Sequence, residues 1–108
     1  MAKKVLVLLV VLVGFGIYAN AQAPEALCSP GELTFVFTPK TPGGTYGTFH
    51  VKNEPLAKGQ FLIDNKKNIR ITWDSGSDPQ QFTYVRKGVY TLPWTNGRGE
   101  SEYQECRK

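Results

Sequence analysis

The chain has 108 residues, with 13 lysines and arginines against nine aspartates and glutamates, and a formal net charge of +4. The positive residues are scattered rather than clustered, which does not fit a nucleic-acid-binding stripe. Two cysteines and one histidine fall short of the four ligands of a structural zinc site.

The N-terminus has the three parts of a secretory signal peptide. Lys3 and Lys4 precede an apolar run, and small residues follow it at positions 19–23. The apolar run, residues 5–18, is shorter than the roughly 20 residues that a membrane-spanning helix needs. We expect cleavage between Ala21 and Gln22, because a cut after Ala23 would leave Pro24 beside the scissile bond. The alternative is an uncleaved segment that is retained as a membrane anchor.

The mature chain, residues 22–108, has the length of one domain. Its net charge is only +2, because Lys3 and Lys4 leave with the signal peptide and 11 lysines and arginines remain against nine acidic residues. Cys28 lies near the start of this chain and Cys106 near its end. Two cysteines in an exported domain predict a disulfide, which would join the two ends of the fold.

The mature chain shows alternation of apolar and polar residues rather than helical periodicity. Turn residues break the alternation at short intervals, which is typical of antiparallel strands. A turn is expected around residues 42–43, a longer connection at 53–59, and tight hairpins around 65–67 and 87–88. The pattern predicts seven strands, within residues 32–38, 45–52, 60–64, 68–73, 81–86, 89–94 and 101–106.

This pattern predicts an all-β fold, a small antiparallel sandwich or barrel of about seven strands. Pro93 lies within a predicted strand and lacks the N–H that a sheet needs, which indicates an edge strand or a bulge there. The alternation also predicts the core, which would be filled by Phe35, Phe37, Phe49, Phe61, Ile69, Ile71 and Trp73.

We find no constellation that predicts catalysis, a cofactor or a metal ion. His50 is the only imidazole, and a disulfide would leave no thiolate nucleophile. The segment at 74–78, Asp-Ser-Gly-Ser-Asp, offers oxygen ligands for a calcium ion, but Val85 stands where a calcium loop needs its twelfth-position carboxylate. The same residue types make turns through local hydrogen bonds, and a turn is the preferred interpretation.

The aromatic residues suggest a binding surface. Eleven of the 13 phenylalanines, tryptophans and tyrosines remain after cleavage, more than a small core needs. Surplus rings at the surface suit either protein interfaces or sugar stacking, and the alternative is that they cover the open ends of a small barrel. The gly-rich loops at 41–47 and 95–100 would present Tyr46 and Arg98. Binding candidates are Tyr46, Tyr90, Trp94 and Arg98, and Tyr103 is a further candidate for a surface ring.

In size and architecture the chain is similar to the small periplasmic lysozyme inhibitors of bacteria, which combine a signal peptide, a compact β-barrel and a disulfide reaching the C-terminus. This similarity assigns no role to any residue. We expect a non-enzymatic, periplasmic or secreted binding module whose partner is an extracytoplasmic protein, with an inhibitor-like or immunity-like role. The alternatives are a glycan-binding module and a membrane-anchored structural subunit of an envelope complex.

Overall fold

A computed structural model describes residues 22–108 of the chain. The predicted signal peptide, its cleavage after Ala21 and the alternative of a retained anchor concern residues 1–21, which lie outside the described residues. Within 22–108, no helix is long and apolar enough to cross a bilayer.

The described residues form a closed antiparallel barrel in which each strand pairs with its neighbours in the chain and the last strand pairs with the first. The fold class is therefore all-β, as predicted, and the barrel alternative is correct. The eight strands are β1 (Ala26–Cys28), β2 (Phe35–Pro39), β3 (Tyr46–Val51), β4 (Glu54–Ile63), β5 (Ile69–Trp73), β6 (Gln80–Arg86), β7 (Val89–Pro93) and β8 (Glu100–Cys106).

The strand that sequence patterns missed is β1, which closes the barrel. It has only three residues, too few for alternation to be visible, and it pairs with β2 on one side and β8 on the other. The predicted disulfide joins Cys28 to Cys106, with 5.9 Å between the two Cα atoms. The strand β1 and this disulfide therefore close the barrel at the same place, the junction of the first and last strands, which we call the seam.

Two local predictions were wrong. Residues 53–59 are not a connection, because β4 begins at Glu54 after a tight turn in which Asn53 has a φ of 67°. The register of β3 and β4 shifts after His50, which pairs with Lys58, because Val51 pairs with Glu54, and residues 55–57 therefore form a bulge in this ladder. Pro93 is not on an edge strand, since a closed barrel has none. It is the last residue of β7, where the ladder ends and a missing N–H costs little.

The barrel interior is filled by aromatic and branched aliphatic side chains. Phe35 lies at its centre, with its ring centroid 5.0 Å from that of Phe82 and 5.7 Å from that of Tyr103. Phe37 packs edge-to-face on Phe61 at 5.2 Å. Such edge-to-face contacts stabilise a core beyond the area they bury. All seven predicted core residues lie in this cluster or pack against it: Phe35, Phe37, Phe49, Phe61, Ile69, Ile71 and Trp73.

Because successive strands run in opposite directions, their connections alternate between the two ends of the barrel. We call one end the tryptophan end, which carries the loops 29–34, 52–53, 74–79 and 94–99. We call the other the tyrosine end, which carries the loops 40–45, 64–68 and 87–88 and the segments that precede β1 and follow β8.

Candidate functional site

The four predicted binding residues lie in three different places. Trp94 and Arg98 belong to the loop between β7 and β8 at the tryptophan end. Tyr46 begins β3 and lies on the outer surface of the barrel. Tyr46 and Trp94 are half exposed, at 50% and 49%, and Arg98 is exposed, whereas Tyr90 is only 6% exposed. Trp94 and Arg98 thus lie in the same loop, Tyr46 lies elsewhere on the surface, and Tyr90 lies inside the barrel.

Tyr90 and Tyr103 are not surface rings. They face each other across β7 and β8, and both point into the barrel. The Tyr90 ring packs edge-to-face on Tyr84 with 5.7 Å between centroids, and Tyr103 packs on Phe82 at 5.3 Å. Barrel closure explains why these two tyrosines are buried, because the closed interior of eight strands holds more aromatic side chains than one face of an open sheet would cover.

The buried phenols predict a loss of stability at high pH. Burial, with the nearby charge of Glu105, raises the pKa of Tyr90 to about 12. Burial, with the charge of Glu32, raises the pKa of Tyr103 to about 12. Both phenols hold their protons more tightly in the folded chain than in the unfolded one, whose tyrosines titrate near pH 10. The contribution of the two protonated phenols to the free energy of unfolding is therefore complete below about pH 10 and is lost as the pH rises towards 12.

We expect the free energy of unfolding to fall between about pH 10 and pH 12, as measured by denaturant titration alongside phenolate absorbance. A variant with Tyr90→Phe and Tyr103→Phe serves as the control, because it keeps the ring packing and removes both titrating groups. An equally steep fall in this variant would contradict the assignment.

A groove on the outer surface of β3, β4 and β5, whose residues we call the side face, holds an exposed apolar pair. Tyr46 lies directly opposite Leu62, and Leu62 directly opposite Arg70, so that the three form one row across the sheet. Tyr46 and Leu62 are 50% and 53% exposed. Register partners on the same face of a sheet touch or nearly touch. The side face consists of Lys40, Tyr46, Thr48, Gln60, Leu62, Arg70 and Thr72, which line one shallow groove.

The side face is cationic. Arg70 and Lys40 lie at the groove, and no aspartate or glutamate of the described chain lines it. On the neighbouring part of the sheet His50 pairs with Lys58, which adds a further positive charge. The acidic residues of β8, Glu100, Glu102 and Glu105, lie on the strand opposite β4 in the ring. The charged side chains that line the groove are therefore all positive, whereas β8 carries three carboxylates.

A second groove, which we call the tryptophan groove, lies at the tryptophan end. It has a volume of about 660 Å³, within the range of small-molecule clefts. Both tryptophans of the chain line it. Its lining residues are Trp73, Ser77, Asp78, Pro79, Gln80, Gln81, Pro93, Trp94 and Thr95.

Both indole rings are held by hydrogen bonds at the ring nitrogen. Trp73 Nε1 donates to Gln80 Oε1 at 3.0 Å, and Trp94 Nε1 donates to Ser101 Oγ at 2.8 Å. The Ser101 hydroxyl in turn donates to Glu32 Oε1 at 3.2 Å. These bonds fix each indole ring at its nitrogen.

The loop at 74–78 shows local hydrogen bonding. The hydroxyls of Ser75 and Ser77 are 3.1 Å apart, and the Gly76 amide donates to the Trp73 carbonyl at 3.1 Å. Among residues 22–108, no group of three or more histidines, cysteines, aspartates or glutamates is placed to hold a metal ion. The preferred interpretation as a turn accounts for these contacts.

Two residues that line these grooves were not predicted from the sequence to bind a partner. Leu62 was given no role, because periodicity shows which face a residue occupies but not its partner on the next strand. Trp73 was assigned to the core alone, although it is half-buried and also lines the tryptophan groove. A repeated Trp-x-x-Gly pattern, at 73–76 and 94–97, is the signal that links the two tryptophans.

Comparisons of the chain with protein-family models, with curated proteins and with solved structures find no match.

Proposed function

We propose that this protein is an exported, non-enzymatic binding module that recognises another extracytoplasmic protein through its side face. The observation that carries the proposal is the exposed Tyr46–Leu62 pair, flanked by the cations of Lys40 and Arg70. The expected partner presents an apolar side chain surrounded by aspartates or glutamates.

The composition of the side face supports a protein partner. Tyrosine and arginine are enriched among the residues that contribute most to protein–protein affinity. Tyr46, Leu62 and Arg70 sit on paired strands rather than on loops, so that binding would order little additional backbone. Cations without neighbouring carboxylates favour an acidic partner and speed its association. An inhibitor-like or immunity-like role fits a rigid surface of this kind.

Two further features support binding at the outer surface and outside the cytoplasm. The rings of Phe35, Phe37 and Phe82 occupy the barrel centre, where a ligand-carrying barrel would have its cavity. The Cys28–Cys106 disulfide is of a kind that persists in oxidising compartments.

The experiment is site-specific photo-crosslinking in the native host. Leu62 is replaced by p-benzoylphenylalanine, and the envelope and medium are irradiated and examined for covalent adducts. We expect a discrete adduct with one protein. Addition of Arg70→Glu should reduce its yield about tenfold, because the charge reversal removes a central contact and repels an acidic partner.

Leu56 provides the matched control position. It lies on β4 like Leu62 and is 88% exposed, but it is six positions away along the strand. The same crosslinker at position 56 should give no such adduct. Equal adducts from positions 56 and 62, no adduct from position 62, or an adduct insensitive to Arg70→Glu would contradict the proposal. Arg70→Glu should leave the unfolding midpoint nearly unchanged, since Arg70 is exposed.

A further inference from the structure

The tryptophan groove has a feature that the protein-binding side face lacks, namely two indole rings in one cleft. Trp94 is 49% exposed and Trp73 is half-buried. Trp73 packs edge-to-face on Phe49 with 5.0 Å between centroids, so that the core holds it from below. Trp94 packs over Gly99, where a side chain would collide with its six-membered ring.

The two tryptophans stand at the start of equivalent turns. The Gly76 amide donates to the Trp73 carbonyl at 3.1 Å, and the Gly97 amide donates to the Trp94 carbonyl at 3.0 Å. Both glycines have a positive φ, 88° and 73°, which other residues adopt only with strain. Two Trp-x-x-Gly turns therefore hold the rings at the same end of the barrel.

The strand arrangement sets the separation of the two turns. Trp73 ends β5 and Trp94 follows β7, with β6 as the single strand between them. Neighbouring strands are about 4.8 Å apart, so the two backbones are separated by about 10 Å along the sheet. That separation is of the length of a disaccharide unit in an extended glycan chain.

The polar lining of the groove complements hydroxyl groups. Ser77, Gln81 and Thr95 each supply a hydrogen-bond donor and an acceptor, and Asp78 supplies acceptors alone. No lysine or arginine of the described chain lines the groove, and the Asp78 carboxylate would repel an anionic ligand. The groove therefore matches a neutral ligand that has flat apolar faces and hydroxyls at its edge.

We propose that the tryptophan groove is a binding site for a neutral β-1,4-linked oligosaccharide, whose sugar faces stack on Trp73 and Trp94. In such a chain of glucose or N-acetylglucosamine units, the hydroxyls are equatorial and the axial C–H groups form the flat faces of each ring. Aromatic rings with a fixed orientation bind such faces without losing much side-chain freedom. The site is separate from the side face and does not depend on the function proposed for it.

Trp73 and Trp94 are the only tryptophans in the chain, so every indole signal in fluorescence or NMR comes from this groove. The test titrates the uniformly ¹⁵N-labelled protein with cellohexaose and with chitohexaose, and follows the two indole N–H resonances and the intrinsic fluorescence. We expect both indole resonances to shift in a saturable way with at least one of these probes. A trigalacturonate probe, which is anionic, should give no shift.

Variants separate the groove from the side face. Trp94→Ala should weaken binding about tenfold, as measured by calorimetry or by the remaining Trp73 signal. Tyr46→Ala, which alters only the side face, should leave the affinity for the oligosaccharide unchanged. The Trp73 indole resonance at its wild-type position would show that Trp94→Ala is still folded.

The proposal is overturned if neither neutral probe shifts the indole resonances at millimolar concentration, or if Trp94→Ala binds as well as the wild type. The wild-type titration alone decides the first outcome, so the test does not depend on the stability of the variant. The outcome of the crosslinking experiment at position 62 neither supports nor contradicts this proposal, because the side face and the tryptophan groove are separate sites.

Discussion

Breaking the Cys28–Cys106 disulfide is expected to lower the free energy of unfolding by about 4–5 kcal/mol, which follows from the entropy of closing a loop of this length. The two cysteines are 78 positions apart, so the bond constrains nearly the whole described chain when it is unfolded. The loss is comparable with the entire stability of a small domain, commonly about 5–15 kcal/mol. In the folded state without the bond, β1 would be held by two residue pairs with β2, three with β8 and the burial of Leu27 in the core.

The measurement is denaturant unfolding of the oxidised protein and of a Cys28→Ala, Cys106→Ala variant. Reductant should shift the midpoint of the wild type towards that of the variant and leave the variant itself unchanged. Equal midpoints for the oxidised protein and the double variant would show that β1 and β8 hold the seam without the covalent bond.

Truncation of Phe35 should be the most damaging single change in the core. Phe35 is 2% exposed and its ring meets four others, those of Phe49, Trp73, Phe82 and Tyr103. Phe35→Ala removes these contacts and leaves a cavity, which typically costs about 3–5 kcal/mol. Chemical denaturation followed by circular dichroism gives the change in unfolding free energy.

Leu56→Ala is the control for Phe35→Ala. Leu56 is 88% exposed, and its truncation should change the free energy of unfolding by no more than about 0.5 kcal/mol. Similar values for the two variants would mean that the ring cluster does not dominate the stability of the barrel. The tryptophan fluorescence of Phe35→Ala should also change, because Phe35 contacts Trp73.

Much of the fold follows from alternation along single strands. Alternation predicts Phe35, Phe37 and Phe49 in the core, and each is buried, although Val36 between the first two is buried as well. Closure could not be predicted in this way, because β1 is too short to show a period and strand order does not depend on periodicity. The segment 53–59 resembled a loop, since it contains the turn residues Asn53, Pro55 and Gly59. A tight turn at Asn53 nevertheless makes it the start of β4.

The candidate sites, like the fold, could be predicted from the sequence only in part. An excess of aromatic residues correctly indicated that some rings reach the surface, and Tyr46 and Trp94 are exposed. The excess could not show which rings these are, and Tyr90 is inside because the closed barrel accepts more rings. Leu62 joins Tyr46 only through the pairing of β3 with β4, a contact between residues distant in sequence.

The described part of the chain begins and ends at the tyrosine end, which has a consequence for how the molecule is presented. Gln22 lies beside Gly43 in the loop 40–45, and the Lys108 amide reaches the Glu25 carboxylate at 3.5 Å. A fusion partner, a tag or an immobilising linker joined at Gln22 or at Lys108 would therefore emerge from this end. The tryptophan groove would then point away from the attachment surface, so a terminal linker offers a way to display it unobstructed on a sensor chip or resin.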